Sequence, residues 1–177
     1  MRVRSLIVCL VLVVPSIAQP PRAPDLEAQR AAMKKLGFLI GKWAGEARVF
    51  RAPGEPLVLA QTEEAQYKLD GLILLIEGVG RNKADGKLAL QALGIVSYDD
   101  ETATYHMRAF NDGRFLETKV KLLDHGKGIT RGFVSGQIRT SSVMRITDEG
   151  DWTELTEITV GSQPARKHME LAVHPQR

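Results

Sequence analysis

One cysteine, Cys9, is found in 177 residues. It lies inside an apolar N-terminal run, Leu6 to Val14, without the small residues that a lipid-attachment site places before its cysteine. No disulfide, thiolate nucleophile or cysteine-ligated metal is expected in the rest of the chain. An excess of one charge is also missing. Lys and Arg number 24 against 21 Asp and Glu, and Arg2 and Arg4 fall in the first 18 residues. That leaves 22 basic against 21 acidic groups, so the clustered cation of a nucleic-acid footprint is absent. The single apolar run is too short to span a bilayer, which needs about 20 residues. There is no His-Glu-x-x-His, no glycine-rich phosphate loop, no Gly-x-Ser-x-Gly and no cysteine pair. Ser135, in Gly132-Phe133-Val134-Ser135-Gly136, misses the nucleophile spacing by one residue and reads as a turn serine. No catalytic residue and no metal ligand set is expected; the residues lean against an enzyme without deciding the question.

The N-terminus has the layout of a cleavable export signal. Arg2 and Arg4 precede the apolar run, Pro15 breaks it, and Ser16-Ile17-Ala18 ends it with small residues. The expectation is removal of 1–18, a stiff linker over 19–24 (Gln-Pro-Pro-Arg-Ala-Pro), and one domain over 25–177 in the periplasm or outside the cell. After cleavage no stable membrane insertion is expected. A domain of that size buries about 68–70% of its unfolded surface without a covalent staple.

Asp25 can cap a helix over 26–36, rich in Ala, Leu, Lys, Glu and Gln, with Gly37 as the stop. From there the periodicity is two. Ten strands are expected, over 43–51, 57–68, 72–80, 88–98, 102–111, 115–123, 129–134, 138–147, 152–160 and 167–174. Turn pairs such as Asp70-Gly71, Asp85-Gly86 and Asp112-Gly113 separate them. Alternation marks inner and outer faces: Leu116, Thr118, Val120 and Leu122 against Glu117, Lys119 and Lys121. No gap admits a crossover helix, so pairing is antiparallel. Ten strands with one apolar side each predict a mainly β fold, a single up-and-down barrel closed to remove its edges, with the short N-terminal helix over one mouth.

Leu39-Ile40-Gly41-Lys42-Trp43-Ala44-Gly45-Glu46 has the Gly-x-Trp-x-Gly form, and resembles the first strand of calycins, the superfamily of lipocalins and fatty-acid-binding proteins. Gly94 to Asp99 with Tyr105, and the ending around Gly150-Asp151-Trp152 and Lys167 to Leu171, resemble a bacterial calycin-like family, domain of unknown function 1579. The resemblance implies a barrel whose base is plugged by Trp43, with Gly41 and Gly45 allowing close backbone approach. It implies no chemistry. Nitrobindins share the Gly-x-Trp-x-Gly start, and that likeness makes His168 a candidate axial ligand for haem.

Three functions compete. The first is a barrel that binds a small hydrophobic molecule in an elongated, largely apolar cavity and needs no cofactor. Its wall candidates are Met107, Val120, Leu122, Met144 and Leu171, with Arg108 or Arg145 as an anchor for a ligand carboxylate. Small residues such as Gly78, Ala92, Gly94, Ala109 and Ser142 would keep the interior open. The second is a haem protein acting on reactive nitrogen or oxygen species through His168. His168, Glu170 and His174 alternate with Met169, Leu171 and Val173, which places the histidines on the solvent face. The third is a ligand-free module that presents its loops to a partner.

Overall fold

The structure is a computed structural model and describes residues 22–51, 54–124 and 127–176. The expected export signal over 1–18 with Cys9, the first half of the expected linker and His125 lie outside the described residues. Helix α1 spans Leu26–Lys34; the Asp25 carboxylate accepts a hydrogen bond from the Ala28 N–H at 3.0 Å, an N-cap. A 3-10 turn, Gly37–Leu39, delivers the chain to the first strand.

Eleven strands follow: β1 Gly41–Val49, β2 Leu57–Lys68, β3 Ile73–Asn82, β4 Leu88–Asp99, β5 Thr104–Asn111, β6 Arg114–Leu122, β7 Gly128–Arg131, β8 Val134–Ser135, β9 Ile138–Ile146, β10 Trp152–Val160 and β11 Arg166–Pro175. All pairings are antiparallel. Neighbours in sequence pair in turn, β7 pairs with β9, β9 with β10, β10 with β11 and β11 with β1, so ten strands close a barrel. The two-residue β8 pairs only with β9 and is a flap at its end. It arises because the expected strand 129–134 breaks after Arg131. Gly132 lies so close to β9 that a Cβ there would come 2.6 Å from the Thr140 carbonyl oxygen. At the β5–β6 hairpin, Asp112 and Gly113 both take positive φ (49° and 72°), the two-residue turn whose twist matches the strands.

Inside the barrel, alternate residues of each strand meet. Helix α1 and the 3-10 turn cover one end, where Met33, Leu36 and Leu39 are fully buried. Trp43 and Trp152 meet edge to face there, centroids 5.8 Å apart. Three side chains tie the plug: Trp43 Nε1 donates to the Leu39 carbonyl at 2.9 Å, Tyr67 Oη to Met33 at 2.8 Å and Tyr105 Oη to Ala32 at 2.7 Å. Gly45 brings β1 against β11 so tightly that a Cβ would lie 2.2 Å from the Ala172 carbonyl oxygen.

Candidate functional site

The half of the barrel away from the helix holds a cavity of about 570 Å³. Ile76, Leu90, Met107, Leu116, Met169 and Leu171 line it with apolar groups, and Arg51, Asp112, Phe133 and His168 stand toward its mouth. Space survives because strands contribute small inward residues: Gly78, Ala92, Gly94 and Ala109 all border it. At Gly78 a Cβ would come 2.8 Å from Glu63 Oε2, so the glycine makes room for that carboxyl group. A concavity of about 660 Å³ near Thr62, Glu64 and Gln91 is a groove between side chains of the outer wall.

A polar cluster crosses the cavity floor. On β2, Gln61 Nε2 donates to Glu63 Oε1 at 2.8 Å. On β7 and β10, Arg131 Nη2 donates to Glu154 Oε1 at 2.6 Å; these side chains are 16% and 3% exposed. Thr156 Oγ1 reaches the same carboxylate oxygen at 3.3 Å and bonds Ser142 Oγ at 2.7 Å. The Glu63 carboxyl is pushed up to about 8, chiefly by burial and in lesser part by the nearby Glu154, while the Gln61 hydrogen bond and Arg131 pull against the rise. Glu63 is half-buried and borders both this cavity and the outer-wall groove. Three buried polar atoms of cavity-lining residues have no partner among the described residues: Gln61 Oε1, Trp152 Nε1 and His168 Nδ1. An unpaired buried polar group costs about 1–3 kcal/mol, so their persistence here needs a reason.

The residues singled out from the sequence divide among three places. Met107 and Leu171 line the cavity. Val120 and Met144 are buried in the hydrophobic core, with half-buried Leu122 packed against it. Arg108 is on the outer wall, 62% exposed and paired with Glu117 at 3.1 Å. Arg145 is exposed in an outer groove beside Glu46 and Arg48. The interior guanidinium is Arg131, on a strand of four residues, too short to show a period.

His168 departs from the expected solvent face. The β10–β11 register shifts between Thr156 and Glu157, which face Met169 and Lys167. His168 is the extra residue, and this bulge turns it from the side of Glu170 and His174 to line the cavity. Its Nδ1 is buried without a partner, and burial holds the imidazole below its ordinary value. His174 stays outside, bonded to Asp151 at 2.6 Å.

No family model matches the chain, and no characterised protein matches it in sequence. Among solved structures the fold is similar to that in the crystal structure of Rv2717c from M. tuberculosis, with a TM-score of 0.66 over 82% of this chain and 98% of that one. Identity between the two is 15%, so the likeness establishes the barrel fold.

Proposed function

We propose that this protein binds a small hydrophobic molecule with a polar head inside its barrel, and that it does so outside the cytoplasm after loss of residues 1–18. The observation that supports the binding reading is the 570 Å³ cavity, apolar at the sides, with a buried polar floor that leaves Gln61 Oε1 unpartnered. That volume falls within the roughly 300–1,000 Å³ of small-molecule pockets, and a few placed polar groups among apolar walls are the usual lining of such sites. The polar floor fixes orientation, while the walls supply affinity through buried area. The test is fluorescence titration with an environment-sensitive naphthalene probe. Wild type is expected to bind saturably, and Ala109→Trp, which adds a large ring at the cavity wall, is expected to block it. A folded wild-type protein that binds no probe would favour the ligand-free module.

A second reading, a haem protein acting on reactive nitrogen or oxygen species, draws on His168. Its imidazole lines the cavity and burial favours its neutral form, the form that ligates iron. Bound haem would supply an open iron position for diatomic ligands. Haemin titration separates the readings: a Soret band that shifts on binding and is lost in His168→Ala supports haem.

A further inference from the structure

We propose that the interior site selects an apolar molecule carrying a protonated amine, with Glu63 as the residue that receives the ammonium group. This rests on the ligand-binding reading above and names its ligand class. Acidic groups outnumber basic ones around the cavity. Three carboxyl groups line it, Glu63 and Glu154 at the floor and Asp112 toward the mouth, against two guanidiniums. Arg131 is committed to Glu154 at 2.6 Å, and Arg51 stands at the mouth with His168, whose burial keeps it neutral. Among the described residues no cation pairs with Glu63; its partner is the Gln61 amide. Gln61 is 3% exposed, lines the cavity, and holds an acceptor oxygen that nothing satisfies.

Trp152 Nε1–H is a separate unpartnered donor in the lining, while at Gln61 and Glu63 the floor lacks a donor for Oε1 and a positive charge for the carboxyl group. An ammonium brings both, with three N–H donors on one point charge. A carboxylate head would find Arg131 already bonded to Glu154 and gain no free cation at the floor, and its own charge would disfavour ionisation of Glu63 beside it. A neutral alcohol would satisfy hydrogen bonds but not the charge. The proton balance is explicit. In the empty protein at neutral pH, Glu63 is held as the acid by burial. On binding, the Glu63 O–H bond breaks, its proton leaves to solvent, and the carboxylate pairs with the R–NH₃⁺ group, so one proton is released per ligand bound. Affinity then rises with pH through about 8 and falls only where the free amine loses its own proton.

Three probes of one chain length test this: n-octylamine, octanoate and 1-octanol, titrated by calorimetry with Trp152 fluorescence followed in parallel. At pH 8.5 octylamine is expected to bind about tenfold more tightly than octanol, as befits a charge-assisted pair, with octanoate weakest. Glu63→Gln should remove the preference, so that octylamine and octanol bind the variant equally. Calorimetry of wild type near pH 7 in two buffers of different ionisation enthalpy gives the proton count without any variant. Release close to one proton per octylamine, and none per octanol, is expected. Octanoate binding as tightly as octylamine, or octylamine binding with no proton release, would overturn the amine assignment while leaving the ligand cavity in place. Saturable binding of none of the three to folded protein would remove the ligand-binding reading as well.

Discussion

The two ends of this barrel are built on opposite terms. At the helix end Met33, Leu36, Leu39 and Trp43 are buried, and the polar atoms of Trp43, Tyr67 and Tyr105 each reach a backbone carbonyl. At the other end Phe115, Val134 and Ile138 are exposed, the strand after Arg131 breaks, and the cavity lining carries polar atoms without partners. The two tryptophan indoles mark the boundary: Trp43 Nε1 is bonded and Trp152 Nε1 is not. The contrast teaches that this fold concentrates packing and satisfied hydrogen bonds where the helix docks. Unspent polar capacity is left on the far side of that plug, where a ligand can use it.

The sharpest way to break the contrast is to remove one large ring from each end. Trp43→Ala is expected to cost about 3–5 kcal/mol, since it deletes a buried indole, its edge-to-face partner contact and the bond to Leu39. Phe115→Ala, at a side chain 62% exposed, is expected to stay within about 0.5 kcal/mol. Urea unfolding of the two variants checks both. Equal losses would mean that the helix end is not the keystone.

The ends also differ in how pH acts on them. Glu63 titrates near 8 when folded and near 4.5 when unfolded. Between those values the folded state holds a proton that the unfolded state has shed. Stability from this group is therefore full below 4.5, declines as pH rises through the window, and is flat above 8. The loss is on the order of a few kcal/mol. Glu63→Gln should abolish this slope and overtake wild type toward pH 8 in denaturant midpoints. At the helix end the sign is reversed. Hydrogen bonds from Gln29 and from the Asp25 N–H hold the Asp100 carboxyl below its ordinary 3.8. That grip is present above 3.8 and is lost as pH falls through the folded value. A wild-type stability profile with no decline between 4.5 and 8 would refute the buried-acid description of Glu63.

The fold was legible where period and turn chemistry agreed. Leu116 to Leu122 alternates cleanly, Asp112-Gly113 marks its hairpin, and the barrel closes with the ten strands that such segments imply. The polar floor was not legible. Gln61-Thr62-Glu63-Glu64 is polar without interruption, so no alternation says which of the four point inward. Arg131 lies on a strand of four residues beside a glycine break. His168 follows from a bulge, and one added residue reverses a face without leaving a trace in composition. Short spacing also promoted Arg108 and Arg145, because an arginine among apolar neighbours looks the same on either side of the wall.

The hydrogen bonds at the plug give a finer test of the helix end. Tyr105→Phe keeps the ring, which is 8% exposed and packs edge to face on Tyr98 at 4.8 Å. It removes only the hydroxyl bond to the Ala32 carbonyl. The expected cost is about 1 kcal/mol, read as a small drop in unfolding midpoint with the slope unchanged. A loss as large as that of Trp43→Ala would mean that docking of α1 hangs on this bond rather than on buried area.

The smallest expected effect separates the outside of the wall from the inside. Arg108 and Arg131 both pair with a glutamate, Arg108 with Glu117 at 3.1 Å and Arg131 with Glu154 at 2.6 Å. What differs is the medium. Arg108 and Glu117 are 62% and 48% exposed, so water screens their attraction and two long side chains lose freedom to hold it. Arg108→Ala should therefore change stability by less than about 1 kcal/mol, and probe binding should not change at all, because the cavity lies on the other face of β5. Arg131→Ala leaves Glu154, 3% exposed, without its cation, and a broken buried pair costs about 3–5 kcal/mol. The naphthalene titration and urea unfolding on Arg108→Ala decide the point. A shift in probe affinity there would put the ligand, or its path of entry, against the outer wall, and would return the anchoring role to the arginine that the structure places outside.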